Sequence, residues 1–294
     1  MIDKHSQRRH LHSRLVLLAT LVCVVLLSSC KTTDDAASAA KELSSTSADL
    51  CAYYKDLSAQ VDDTVVLNEI QHAVFGVPFE DQDRAQLADM KNEIKKRADL
   101  ADSLSKLASD YGTLAGSKAP GDASTAANKL GSELQSVKAL PKSSPVPDAI
   151  SQAAKLVLEF AQSLELKKGA QALQQTVSGI RQLYDTEKPA YEAISKQRIV
   201  LASSVAKQLV DKDQVDLNSV FAPALKPFDF SPKLQSGVYP AEYKELAKVE
   251  IGQKADEQMN ASVQKTEALS KSLKKVDDDL AAVVSGKKSG KGKG

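Results

Sequence analysis

Between Leu87 and Ala115 the residues Leu87, Met90, Ile94, Arg97, Ala101, Leu104, Ala108, Tyr111 and Ala115 recur at steps of three and four without interruption. A strand repeats every second residue, so this spacing suits only an α-helix with one narrow apolar seam, the pattern of a coiled coil. A seam of that length cannot be left in water, and the rest of the chain supplies the helices to cover it. From Asp34 to about Val74, Leu43, Leu50, Tyr54, Leu57, Val61 and Ile70 share one helical face, and Gly76 and Pro78 end the run. Glu80, Asp81 and Asp83 then open the next helix with acids at its positive end.

Gly116 to Gly121 form a turn around Pro120, after which Asp122 is placed to cap a shorter helix with the seam Ala123, Ala127, Leu130, Leu134 and Val137. These two segments are expected to pair as an antiparallel hairpin. Pro141, Pro145 and Pro147 separate them from a helix that Asp148 would cap, carrying Ile150, Ala154, Val157, Phe160, Ala161 and Leu164. Gly169 is the expected kink before Leu173, Val177, Ile180 and Tyr184, and Pro189 suits the first turn of a further helix through Tyr191, Ile194, Leu201, Val205 and Leu209. A final helix from about Ala241 to Val284 places Tyr243, Leu246, Ala255, Met259, Val263, Thr266, Leu273, Val276 and Leu280 near its seam. No strand-like alternation occurs, and the expected fold class is all-α: an elongated antiparallel helical bundle with coiled-coil-like hairpins.

The first thirty residues follow a different logic. Lys4, Arg8, Arg9 and Arg14 precede an apolar run from Leu15 to Leu27, short of the roughly 20 residues that span a bilayer, and the sequence Leu27-Ser28-Ser29-Cys30 follows. In this order the three features resemble the signal peptide and lipobox of bacterial lipoproteins. The resemblance implies cleavage before Cys30, a diacylglyceryl group on its thiol, and fatty acylation of the palmitate kind. Lys31, rather than Asp, follows the lipid cysteine, which in enterobacteria-like sorting implies the periplasmic face of the outer membrane. The expected organisation is a cleaved peptide over 1–29, a lipidated N-terminus and short linker over 30–40, a helical bundle over 41–284 and a Lys/Gly-rich tail over 285–294.

Cleavage would leave 35 Lys+Arg against 37 Asp+Glu and, of the chemically versatile residues, only His72, Cys30 and Cys51. The balance excludes a nucleic-acid binder, which needs a basic surplus or a dense basic face. The residue inventory predicts no metal site and no cofactor, and leaves a Cys51–His72 pair as the one conceivable nucleophile-base couple if the chain folds back. Cys51 is read either as a small core residue or, in an oxidising compartment, as the partner in an intermolecular disulfide. The paired acids Asp62-Asp63 and Asp277-Asp278-Asp279 lack the spacing of a calcium loop and read as solvated helix faces.

Two segments stand outside the helical pattern. Between Asp211 and Pro240, four prolines forbid a long helix, while Phe221, Phe228, Phe230 and Tyr239 are either anchors for a partner or plugs for the end of the bundle. The tail carries Lys287, Lys288, Lys291 and Lys293 without an acid, suited to weak contact with anionic polymers or to solubility. With no Trp and 4% aromatic residues, there is little from which to build a deep ligand pocket. The functional expectation is therefore a non-catalytic, lipid-anchored envelope protein serving as a spacer, scaffold or protein-interaction module with an envelope protein partner. The alternative is a periplasmic binding protein for an apolar or envelope-derived ligand.

Overall fold

The computed structural model describes residues 4–117, 122–140, 145–215 and 239–286, with side chains from residue 34 onward and excepting 116–117. It is an all-α bundle. Six helices occur among the described residues: α1 (Lys4–Phe75), α2 (Asp81–Ser117), α3 (Ala123–Ser136), α4 (Asp148–Ser163), α5 (Leu166–Asp211) and α6 (Ala241–Ser285). No strand occurs among the described residues, and none of their helices is long and apolar enough to cross a membrane.

Cross-helix contacts fix the topology. Ser44 meets Ser105 at 3.1 Å and Asp62 meets Lys91 at 2.7 Å, so α2 runs antiparallel to α1. Ser124 Oγ donates to the Ala161 carbonyl at 2.9 Å, which sets the start of α3 beside the end of α4. Asp56 pairs with Lys265 at 2.8 Å and Glu42 with Lys275, so α6 returns antiparallel along α1. The path is up, down, up, down, up, down. The short α3–α4 hairpin thickens only the half of the bundle that holds the start of α1, while α1, α2, α5 and α6 continue to the far end. From Asp34 to Phe75 α1 rises about 60 Å at 1.5 Å per residue.

The α2 seam from Ile94 to Ala115 is buried throughout, including Arg97, and the α1 seam is buried from Leu43 to Val61. The shared core joins α1, α2, α3, α4, α5 and the second half of α6. Ala36, Ala39 and Ala40 belong to it, so the bundle begins before residue 41 and residues 34–40 are helix rather than linker.

Three local expectations are corrected. The break between α4 and α5 falls at Leu164, which adopts a left-handed φ of 52° and donates its N–H to the Phe160 carbonyl at 2.8 Å. Gly169 lies inside α5 instead, because Tyr111 and Phe160 press onto its backbone: a Cβ there would sit 2.6 Å from the Tyr111 ring and 2.7 Å from that of Phe160. Pro189 does not start a helix; α5 runs straight through it. An interior proline costs about 3 kcal/mol, and here Tyr184, Glu187, Tyr191 and Ile194 are buried on both sides of it, which holds the helix together. In the first half of α6 the apolar positions Tyr243, Leu246 and Val263 are exposed and Ala247 is buried instead, because the far half of the bundle has fewer helices to cover them. Helix starts also differ in detail. Asp122 occupies the N-cap of α3 without a side-chain cap bond, and Pro147, not Asp148, is the N-cap of α4. At α2 the acids behave as expected, with Asp83 accepting the Glu80 N–H at 3.1 Å.

Candidate functional site

The most distinctive polar constellation lies inside the bundle, at the level where the chain crosses from α3 to α4. Arg97 on α2 and Glu187 on α5 form a two-pronged ion pair: Nε donates to one carboxylate oxygen at 2.7 Å and Nη2 donates to the other. Their side chains are 1% and 0% exposed, so the pair is shielded from water. Arg97 donates further to the carbonyls of Glu93 at 2.9 Å and Lys138 at 2.7 Å. Glu187 also accepts the Leu140 N–H at 3.4 Å and the Tyr191 hydroxyl at 2.5 Å. Four elements, α2, α5, α1 through Tyr54 and the 137–140 crossing, are thereby tied at one level.

Four tyrosines extend the network. The Tyr191 and Tyr54 hydroxyls are hydrogen-bonded at 3.4 Å, and Tyr184 donates to the Thr266 carbonyl on α6 at 3.1 Å. Ring centroids of Tyr53, Tyr54, Tyr184 and Tyr191 lie 5.6–6.1 Å apart, mostly edge to face or tilted, the favoured aromatic geometry. Burial, with the negative charge of neighbouring groups, holds the Tyr53, Tyr184 and Tyr191 hydroxyls above the usual tyrosine range, and burial does the same for Tyr54. Burial alone would lower Arg97, but the hydrogen bond to Glu187 keeps it fully charged, above its ordinary value. Arg97, Glu187 and the four tyrosines are all buried, and their bonds across α1, α2, α5 and α6 hold these helices in register.

These shifts have a pH consequence. An unfolded tyrosine ionises near pH 10, whereas the folded cluster keeps its protons to higher pH, so stability is complete below about pH 10 and falls as the pH rises. In a chain with Tyr239 and Tyr243 replaced by Phe, tyrosinate absorbance and loss of helical circular dichroism should rise together above about pH 10. Ionisation well before loss of helicity would show that water reaches the cluster.

The residues singled out from the sequence do not converge. The side chain of Cys30, the whole of Phe221, Phe228 and Phe230, and Lys287, Lys288, Lys291 and Lys293 lie outside the described residues. Tyr239 is buried with Val210 and Ala247 in a small cluster of its own, and its N–H donates to Asp213 Oδ1 at 3.4 Å. Cys51 is 6% exposed and packs in the main core without a disulfide, so bonding to a second chain requires that helix face to open. Cys51 and His72 sit on one unbroken helix, about 31 Å apart along its axis, so they cannot act as a couple within one chain. His72 Nδ1 instead lies 3.0 Å from the Val77 carbonyl, at the end of α1.

The paired acids serve neighbouring helices. Asp62 binds Lys91, Asp63 binds Arg198 at 2.9 Å, and Asp277 binds Arg181 at 3.2 Å. No group of three His, Cys, Asp or Glu residues placed to hold a metal occurs among the described residues. A groove of about 500 Å³ between α1 and α2 is lined by small residues such as Ala37, Ser44, Ala48, Ser105 and Gly112, with no charged side chain but Lys41. A second hollow, of about 620 Å³, is lined by both signs of charge, including Asp89, Lys95, Lys96 and Asp99.

Sequence reasoning placed Arg97, Tyr54, Tyr184 and Tyr191 on their seams without linking them, and it passed over Glu187. The available signal was positional: Tyr184, Glu187 and Tyr191 follow the three-four step, so an acid sat on a buried face opposite a seam that carried an arginine. Compared with known protein families, curated proteins and solved structures, the chain matches none.

Proposed function

We propose that this chain is a lipid-anchored helical spacer of the bacterial cell envelope, non-catalytic, which carries an interaction surface at the end of the bundle remote from its lipid. The observation that carries this reading is the Leu27-Ser28-Ser29-Cys30 box, which lies within α1, the helix that runs on to Phe75. A lipid on Cys30 fixes one end of a rod whose far end stands on the order of 60 Å away. Lys31 favours the periplasmic face of the outer membrane by the sorting pattern of similar lipoproteins. The packed, solvent-closed centre supports a mechanical role over a ligand carrier, because the ionisable network fills the space that a ligand would need.

Replacing Cys30 by Ala should move the protein from the membrane fraction to the soluble periplasmic fraction, with loss of the acyl mass on the N-terminal peptide. Retention of the variant in membranes after salt washing would overturn the lipid anchor. To test the interaction surface, photo-crosslinking residues placed at exposed Val66, Leu246 and Val249 in the native host should capture one protein repeatedly, while the same probe near the lipidated end should not. Adducts with lipid or glycan alone at the remote positions would favour the ligand-binding reading.

A further inference from the structure

α5 and α6 leave a groove open on their side away from α1. Thr266 donates to Glu192 Oε1 at 2.8 Å, Lys207 Nζ lies beside Gly252, and Lys248 pairs with Asp211 at 2.5 Å, so the two helices run antiparallel with their levels fixed along this stretch. Both turn other faces to α1, α5 through Arg198 to Asp63 and α6 through Lys265 to Asp56. At about 100° per residue, the flank of α5 beyond α6 carries Lys196, Val200, Ser203 and Lys207, and the adjoining flank of α6 carries Val249, Gly252, Asp256, Val263 and Glu267. Val200, Val249 and Val263 are three of the seven large apolar side chains exposed among the described residues. The two flanks carry opposite charge: Lys196 and Lys207 on α5, Asp256 and Glu267 on α6, none of them in an ion pair among the described residues.

We propose that a second copy of this chain covers the groove, the two rods lying side by side and parallel. A two-fold axis along the groove sets α5 of each copy against α6 of the other with levels unchanged. Lys207, level with Gly252, then stands about one helical turn from the partner's Asp256, and Lys196, level with Val263, about one turn from the partner's Glu267. An axis across the groove would instead lay α5 on α5, lysine against lysine, so charge selects the parallel pair. The strip from Val249 to Glu267 is about 27 Å long and two helices, about 20 Å, wide. Pairing therefore covers on the order of 500 Å² on each copy, about 1,000 Å² in all, the lower edge of what a specific interface needs. The expected result is a dimer of micromolar Kd, with the exposed valines shielded between ion pairs. Pairing does not depend on the lipid anchor, although a parallel pair leaves both Cys30 ends on the same side.

The test uses the full chain from residue 30 with Cys30→Ala, so it reads pairing without the lipid. Sedimentation equilibrium should show monomer and dimer exchanging at about 1–100 μM protein. K196E/K207E and D256K/E267K each place like charges across the groove and should weaken pairing at least about tenfold. An equimolar mixture of the two variants should pair about as strongly as the unaltered chain, because acidic α5 then meets basic α6 and basic α5 meets acidic α6. Recovery on mixing also shows that neither variant has lost its fold. For orientation, spin labels at Asp35→Cys in a Cys51→Ala background should lie within about 60 Å of each other, the width of two bundles, whereas antiparallel rods would hold them about 90 Å apart. A chain that stays monomeric at about 100 μM, a dimer indifferent to the charge changes, or labels at the antiparallel distance would overturn the proposal.

Discussion

Glu187→Ala is expected to lower the unfolding free energy by about 3–5 kcal/mol, read as a drop in the urea midpoint of the Cys30→Ala chain with little change in slope. The loss exceeds that of an ordinary hydrogen bond because the substitution leaves the Arg97 guanidinium, 1% exposed, inside the bundle without its counter-charge. It also removes the acceptor of the Tyr191 hydroxyl at 2.5 Å, leaving that hydroxyl its longer bond to Tyr54 at 3.4 Å, and takes away the carboxylate to which the Leu140 N–H donates. The surface pairs provide the contrast. Lys106–Asp102, with side chains 60% and 42% exposed, should change stability by less than about 1 kcal/mol when broken.

Replacing both charges by apolar residues of similar volume, as in R97M/E187L, should recover most of the loss. Two mutually satisfied charges gain back little more than their dehydration costs, and a well-packed apolar pair avoids that cost. What the apolar pair does not restore is the tie to the 137–140 crossing, where Arg97 holds the Lys138 carbonyl at 2.7 Å. The double variant should therefore be near wild type in stability, with faster amide exchange in the crossing and in the adjoining ends of α3 and α4. If Glu187→Ala alone costs less than about 1 kcal/mol, the interior is hydrated and the network does not lock the bundle.

The helices themselves were legible because their seams repeat. The α2 series was readable from Leu87 to Ala115 down to single residues, and from Ile94 onward every member of it is buried. What escaped was set by packing between helices, which no window along the chain contains. Pro189 carries the local signature of a helix start, and only the burial of residues on both sides of it explains why α5 continues. Gly169 looks like a kink, but its missing side chain is used for the close approach of Tyr111 and Phe160, two residues distant in sequence or across a turn. Likewise the apolar face of early α6 reads as a buried seam until the bundle is seen to lose the α3–α4 hairpin at that height. The candidate network was half visible: arginine and tyrosines on seams were plain, whereas the pairing of Arg97 with Glu187 spans 90 residues.

That packing around Gly169 supports the second large effect. Phe160 is fully buried and stands edge to face with Tyr111, ring centroids 6.1 Å apart. Phe160→Ala should cost about 3–5 kcal/mol, the lost transfer energy of the ring together with the cavity left behind. Gly169→Ala should also destabilise, by about 1–3 kcal/mol, although alanine is the better helix former, because its methyl would enter the van der Waals shells of both rings. The two changes should not add. Without the Phe160 ring, the Tyr111 ring gains room to shift and the new methyl occupies part of the vacated space, so the double variant should be more stable than the sum predicts by about 0.5–3 kcal/mol. Urea unfolding of the four proteins of this cycle measures the coupling directly. Strict additivity would mean that Gly169 is not held against Phe160.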